Sequence, residues 1–371
     1  MTLQTQSRDA LTELISLLQE VDTRWSGPEW NLHSEEDITG SHRALMHILE
    51  AALVGYFEQD ASRPDFRRIV TPSRKLTGDN SDAIYFDAPV SNEHTYVIHG
   101  CMQGAAYFSL TIEEGAKDGH LATNTAGVIN NTEMEIDSNG NFTVYLGGEK
   151  RDANWLALTP GASRVTTRHY FEHEKPAALD PQLEPRMHIE CLDPSSVPAP
   201  PNDDSVAAGI RRVANVVRSR TLDMPPMANS VLPSFLSLTP NEFPPPQPPG
   251  DFGLAAFDAH YSMAPFFIND DEALVITGRW PDCSFGNICL WNRFQQTLDY
   301  GSRTVSLNRA QTQAEADGSF KMILAHEDPG LPNWLDTEGK LFGMVFWRYF
   351  LVEGEVETPQ ATVVKLSELG A

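Results

Sequence analysis

The chain has 371 residues, of which 51 are acidic and 27 basic, and its formal net charge is −24 at neutral pH. Such a field repels phosphate backbones and anionic lipid, which argues against nucleic acid as a partner and favours a neutral or apolar small substrate over a polyanion. No apolar run approaches the roughly 20 residues of a membrane helix, and the start of the chain lacks a basic segment followed by an apolar core. We therefore expect a cytoplasmic protein without a membrane segment, which takes a small-molecule substrate and for which a homo-oligomer remains open.

The first predicted elements are two amphipathic helices. Leucines and other apolar residues recur at i, i+3, i+4 and i+7 spacing, which is the period of an α-helix with one apolar face. Such faces usually pack against a core or a partner helix. The first stripe is Leu11, Leu14, Ile15, Leu18 and Val21, and the second is Leu45, Ile48, Leu49, Ala52 and Leu53.

Strand-like runs such as "TYVIHG" and "FTVYLGG" then alternate with turn-forming segments, a pattern typical of a sandwich or jelly roll. A helix and a proline-rich connector, "NEFPPPQPPGDFG", separate this unit from a second β-rich unit. With 371 residues the chain is long enough for two cores. The predicted division is 1–63 for the helical segment, 64–192 for the first β unit, 193–250 for linker, helix and connector, and 251–371 for the second β unit.

The second β unit repeats the first. Residues 178 positions apart agree at several sites, and after one inserted residue the offset becomes 179, which predicts a duplicated unit. On this alignment His169 corresponds to Arg348. The fold class predicted is mainly β with helical additions, in two related sandwich or jelly-roll-like units. The agreeing pairs are Gly100 with Gly278, Asn130 with Asn308, Gly140 with Gly318, Phe142 with Phe320, Asn154 with Asn333, Trp155 with Trp334, Leu156 with Leu335, Tyr170 with Tyr349 and Phe171 with Phe350.

The segments "KLTGDNSDAIYFDA", "NICLWNRFQQTLDY" and "DPGLPNWLDTEG" resemble the bacterial domain-of-unknown-function family DUF1214. The resemblance extends from about Lys75 onward and is closer in the second unit. It implies a β-sandwich with helical additions and a catabolic setting, and it supplies no catalytic residues. Where relatives often carry an Asp-Trp pair, this chain has His173 and Glu174.

Several familiar motifs are missing. The chain has no GxGxxG, Walker loop, HExxH or GxSxG, which removes the usual support for a Rossmann dehydrogenase, a nucleoside triphosphatase, a zincin or a classical esterase. Its four cysteines form no CxxC pair, which argues against a disulfide framework and a thiolate zinc knuckle and favours buried thiols. Asp79, Asn80 and Asp82 in "GDNSD" could hold a hard cation, although an Asx turn explains them better.

Three histidines are the candidate catalytic residues. His169 and His173 are spaced i, i+4, but on a strand four residues span roughly 13 Å, so they cannot share one ion unless the strand ends between them. Either could singly be a haem ligand or a general base. His326 lies in a predicted loop after a strand, where functional groups are common.

Two functional hypotheses follow. The first is a catabolic enzyme acting on a small hydrophobic or aromatic molecule, with alkene-cleaving oxygenase chemistry and haem or iron as the expected cofactor. Its pocket would lie between the β units or under the N-terminal helices, lined by Trp291, Trp347 and Tyr349, with His173 and Arg348 binding the cofactor. The second is a carbohydrate-active or carbohydrate-binding protein, which would need paired carboxylates beside an exposed tryptophan.

Overall fold

The computed structural model describes residues 3–115, 117–193, 197–224, 232–250 and 254–369. Strands dominate, and three α-helices accompany them in these residues, so the predicted fold class is confirmed. None of the helices in these ranges is long and apolar enough to cross a membrane. The helices are α1 (Gln6–Arg24), α2 (Glu35–Ala52), which continues as a π-helix over Leu53–Phe57, and α3 (Asp203–Ser219).

Strands β1 to β9 build the first unit, and β10 to β17 build the second. They are β1 (Arg67–Arg68), β2 (Ala83–Pro89), β3 (Tyr96–Cys101), β4 (Tyr107–Glu114), β5 (Asn124–Asn130), β6 (Asn141–Leu146), β7 (Trp155–Leu156), β8 (Ala162–Tyr170), β9 (His188–Cys191), β10 (Ala259–Phe267), β11 (Glu272–Gly278), β12 (Phe285–Trp291), β13 (Ser306–Asn308), β14 (Phe320–Ala325), β15 (Trp334–Asp336), β16 (Phe342–Phe350) and β17 (Gln360–Lys365).

Each unit is a sandwich of two sheets. The first has the inner sheet β1-β2-β8-β4-β5 and the outer sheet β7-β6-β3-β9, and the second has the inner sheet β10-β16-β12-β13 and the outer sheet β15-β14-β11-β17. Alternating apolar residues fill the space between the sheets of each unit. Neighbouring strands of each inner sheet run antiparallel.

The two inner sheets also face each other, so each is covered on both sides. Tyr107 of the first unit stacks on Phe350 of the second with ring centroids 4.1 Å apart. Helices α1, α2 and α3 pack against this contact and bury Val21, Ile48 and Val217 there. A further hydrophobic core, shared by both units, therefore lies between them, under the helices.

Helix α1 presents a different stripe from the predicted one. Leu17 and Val21 are buried, but Leu11 and Ile15 are each about half exposed. The α-helical spacing was right, but the fully buried residues of the helix are Ala10, Leu17 and Val21, and α3 packs against it. Helix α2 begins as a capping box between Ser34 and Asp37, which satisfies the first free N–H groups of the helix.

Candidate functional site

A cavity of about 350 Å³ lies between the two inner sheets. Strands β2, β4 and β8 supply one side, β10, β12 and β16 supply the other, and α3 with the end of α2 closes it. This volume is at the lower end of the roughly 300–1,000 Å³ usual for small-molecule pockets. The cavity therefore has the size for one small ligand.

Strand β8 gives the cavity its polar wall. Side chains alternate along a strand, so Arg164, Thr166, Arg168 and Tyr170 all point to the cavity, while Val165 enters the core of the first unit. Two arginines among four buried residues on one face of a strand are unusual, because charged side chains are rarely buried unless they are paired.

Two of the three buried arginines that line the cavity are neutralised. Arg164 forms an ion pair with Asp87 at 2.6 Å. Arg168 donates to Thr111 Oγ1 and lies 3.6 Å from the Glu113 carboxylate. These contacts offset the cost of burying the two charges and hold both side chains in place.

Arg348 on β16 is buried without a carboxylate. It is 4% exposed, and its Nη2 donates to the Gly78 carbonyl at 3.2 Å. Its Nε and Nη1 have no hydrogen-bond partner among the described residues. Four aromatic rings surround the guanidinium instead, with its carbon 4.6 to 5.9 Å from their centroids; they belong to Tyr170, Tyr261, Trp291 and Phe346. The π faces attract the cation but leave its N–H groups free to donate.

Comparison of the two units shows why Arg348 lacks a carboxylate partner. Arg168 and Arg348 occupy the same place in their sheets, since β8 and β16 are both nine residues long and pair alike with their neighbours. The carboxylate of Glu113 offsets the charge of Arg168, and the strand pairing places Trp291 at the position equivalent to Glu113. The second unit thus keeps the arginine and has an aromatic ring where the first has a carboxylate.

This register corrects the sequence alignment by one residue. The structural offset between β8 and β16 is 180, so Arg348 corresponds to Arg168, and His169 corresponds to Tyr349. The alignment at 179 was wrong here because seven residues (335–341) separate Trp334 from β16, whereas six (156–161) separate Trp155 from β8. The sequence contains this correspondence, because "RHYF" at 168–171 aligns with "RYFL" at 348–351 when the two arginines are matched.

A tyrosine pair lies beside Arg348. The hydroxyls of Tyr85 and Tyr170 are 2.8 Å apart, and their rings meet edge to face. Burial raises the pKa of Tyr85 well above its usual range, so its hydroxyl stays protonated at neutral pH. One hydroxyl donates to the other, and the pair keeps one further O–H that it can donate to a ligand.

The segment Gly78–Asp82, where an Asx turn was favoured over a cation site, joins the two units, and the Asp82 N–H donates to the Asn80 side chain. Asp79 accepts hydrogen bonds from the backbone and hydroxyl of Thr297, and Asp82 accepts one from Asn287. The carbonyl of Asp79 accepts from the indole of Trp291. Burial raises the pKa of Asp79 to about 6 and that of Asp82 to about 7. These hydrogen bonds hold the carboxylates of Asp79 and Asp82 in place, so no bound cation is needed to explain the conformation of the loop.

The three nominated histidines lie in different places. His169 points into the core of the first unit, 4.4 Å from the Phe108 ring, and its Nε2 donates to the Cys101 carbonyl. Burial lowers the pKa of His169 to about 3. His173 is exposed beyond the end of β8, and His326 follows β14 in the outer sheet of the second unit.

These positions do not fit a haem or an iron ion held jointly by the nominated residues. Neither His169, His173 nor His326 lines the cavity. Among the nominated cofactor and substrate residues, Arg348 and Trp291 line it, whereas Trp347 and Tyr349 alternate to the other face of β16 and fill the second core. Sequence reasoning did not find Arg164, Arg168, Tyr85, Tyr170 or Tyr261 as site residues.

The charge of the cavity is opposite to that of the whole chain. Eight of the residues that line it are basic and three are acidic, whereas the chain has 27 basic and 51 acidic residues. The lining therefore concentrates positive charge on an acidic protein, which is the arrangement that attracts an anion. The basic residues are Arg67, Arg68, Arg74, Lys117, Arg164, Arg168, Arg220 and Arg348.

The fold and cavity define a class: tandem β-sandwich units that enclose a ligand-sized cavity at their contact. The family model described as "Protein of unknown function (DUF1214)" matches residues 83–174 and 274–350 of the chain, and the predicted resemblance is confirmed. Arg168 and Arg348 each lie within a matched region. No curated protein matches the chain.

Two solved structures share the architecture. An uncharacterised protein from Burkholderia cenocepacia is 25% identical and superposes with a TM-score of 0.81, with 97% of this chain and 98% of the other covered. A protein from Vibrio parahaemolyticus is 13% identical with a TM-score of 0.51, covering 87% of this chain and 98% of that one. The second likeness concerns the fold alone.

Proposed function

We propose that this protein binds a small organic acid in the central cavity, with the carboxylate of the ligand on Arg348 and its apolar or aromatic body among the surrounding rings. The observation that carries the proposal is the buried guanidinium with two unpartnered nitrogens. Burying a charge without a partner costs several kcal/mol, and an anionic ligand would remove that cost. Hydrogen bonds between charged groups are also the stronger ones.

A monoanion suits the site better than a phosphate. The charges of Arg164 and Arg168 are already offset by Asp87 and Glu113, so Arg348 is the buried cation of the lining without an ion pair in the described residues. A dianion in the same place would bring a second charge out of water without an equal partner.

On this proposal, the protein is an enzyme and the organic acid is its substrate. Tyr85 and Tyr170 place a hydroxyl donor beside the anion site, and such a donor can hold or protonate a reacting oxygen. The oxygenase hypothesis retains support for its substrate class, an apolar or aromatic molecule, from the rings around Arg348. It gains none for a haem or iron held by the nominated histidines.

The carbohydrate alternative has less support. The acidic residues that line the cavity are Asp79, Asp87 and Glu113, and each is bonded to protein donors. A glycosidase needs two carboxyl groups free to face the sugar. No pair of this kind lines the cavity within the described ranges.

Thermal stabilisation by matched ligand pairs tests the proposal. Aromatic carboxylic acids and their primary amides have nearly the same shape, but only the acids carry a charge at neutral pH. We expect one or more acids to raise the melting temperature of the wild type, with the matching amides giving a smaller shift, because bound ligand stabilises the folded state. Equal shifts for acids and amides, or no shift for any acid, would reject an anion site.

A further inference from the structure

The structure assigns a second site, for a transition-metal ion such as Zn²⁺, to His94, Cys191 and Asp193 on the outer sheet of the first unit. Each residue offers one ligand atom, and the three atoms all lie within 4.8 Å of one another. The His94 Nδ1 is 3.2 Å from the Asp193 Oδ2, and the Cys191 Sγ is 3.9 Å from the same oxygen. This site is separate from the cavity.

The sheet topology brings these residues together. His94 lies just before β3, Cys191 ends β9, and Asp193 follows two residues later. Strand β9 is the edge strand beside β3, and Tyr96 pairs directly with Cys191. A metal bound here would connect the end of the edge strand to the turn before its neighbour.

The spacing agrees with tetrahedral coordination. Zinc binds imidazole and carboxylate at about 2.0–2.2 Å and thiolate at about 2.3 Å, which puts neighbouring ligand atoms roughly 3.3–3.8 Å apart. The observed separations need only small side-chain rotations to reach these values. A mixed nitrogen, sulfur and oxygen set selects a borderline ion such as Zn²⁺ over Mg²⁺ or Ca²⁺.

The surroundings favour a cation. The backbone N–H of Thr95 donates to the Asp193 Oδ2 at 2.8 Å and orients the carboxylate, as outer partners of metal ligands do. Within the described residues Asp193 forms an ion pair with His94 and with no lysine or arginine. The side chains of His94 and Asp193 are 27% and 41% exposed, so a fourth position can be filled by water.

Cobalt substitution tests this site directly. The full-length protein is treated with a chelator, titrated with Co²⁺ and followed by absorption spectroscopy, because thiolate bound to Co²⁺ gives a charge-transfer band that imidazole and carboxylate do not. We expect one ion per chain, with that band and tetrahedral d–d bands, and competition by Zn²⁺. Cys191→Ser should lose the charge-transfer band, and His94→Gln should weaken binding by at least about tenfold.

Two control variants test whether the charge-transfer band or the bound Co²⁺ comes from another place in the protein. Cys101→Ser removes a buried thiol from the same sheet and should leave the band unchanged. His99→Ala removes half of an exposed cross-strand pair with His188, which could bind Co²⁺ without sulfur. A wild type without the charge-transfer band, or a band that persists in Cys191→Ser, would overturn the assignment, as would binding abolished by His99→Ala alone. Circular dichroism of each variant verifies that it is folded.

Discussion

Equivalent residues of the two units make equivalent hydrogen bonds. Asn154 and Asn333 both adopt positive φ, and each side-chain amide donates to two carbonyls at matching places in its unit. Trp155 and Trp334 each donate an indole hydrogen bond to an equivalent carbonyl. These agreements between the copies are structural, as expected for turns and cores that both units require.

Gly100 on β3 leaves no room for a side chain. A Cβ at Gly100 would lie 2.5 Å from the Phe142 ring and 2.6 Å from the Met187 sulfur. We expect Gly100→Ala to lower the free energy of unfolding by about 1–3 kcal/mol, because the core must shift to admit the methyl group. Denaturant titration measures this change.

Gly127→Ala is the matched control. Gly127 lies on β5 of the same unit, and a Cβ there would make ordinary contact, 3.5 Å from Leu156. This substitution should leave the unfolding free energy nearly unchanged. Equal losses for the two alanine variants would show that close packing does not explain the glycine at position 100.

The geometry of the strands explains which residues of the site could be predicted from the sequence. Alternation along β8 and β16 decides which side chains reach the cavity, and a register error of one residue exchanges the two faces. Trp347 and Tyr349 were expected in the pocket because they are aromatic, but they lie on the opposite face of β16 from Arg348 and fill the core. Arg168 was missed because the alignment at 179 placed His169, and not Arg168, opposite Arg348. The sequence contains no marker of which face of a strand buried on both sides will meet a cavity.

The segment that joins the units gives a prediction about pH. Asp82 is fully buried at the contact, and its Oδ1 has no hydrogen-bond partner in the part of the chain that the structure describes. Burial raises its pKa in the folded state to about 7 from an ordinary value near 3.8. Ionisation of this group therefore disfavours folding, and its effect on stability is absent at low pH and grows as the pH rises between these two values.

Asp82→Asn should remove this dependence. We expect the unfolding free energy of the variant, relative to the wild type, to increase by up to about 1.4 kcal/mol per pH unit from about pH 4 to about pH 7. Asp317→Asn is the contrasting control, since hydrogen bonds from Ser319 lower the pKa of that exposed carboxyl. A difference between Asp82→Asn and wild type that does not vary with pH would contradict the assignment of a raised pKa.

At the scale of the whole molecule, the duplicated β architecture could be predicted because it depends on repeated turns and core residues. A pocket was expected between the units or under the helices, and the cavity lies there, but most of its lining residues could not be predicted, because the cavity forms where residues about 180 positions apart meet. The overall charge and the cavity lining favour different ligands. A net charge of −24 suggested a neutral substrate, yet the basic side chains are concentrated around the central cavity. Net charge describes the exposed surface, whereas recognition depends on the local lining.

On our proposal, Arg348 binds the acid group of a ligand between the two units. The most direct measurement is isothermal titration of wild type, Arg348→Gln and Arg348→Lys with the carboxylic acid that most stabilises the wild type. Hydrogen bonds to a charged group contribute about 1.5–3 kcal/mol, so Arg348→Gln should raise the Kd by about 10- to 150-fold, with Arg348→Lys between. Arg211→Gln, which removes an exposed arginine paired with Glu13, should bind like the wild type. A folded Arg348→Gln variant that binds the acid as tightly as the wild type would contradict the claim.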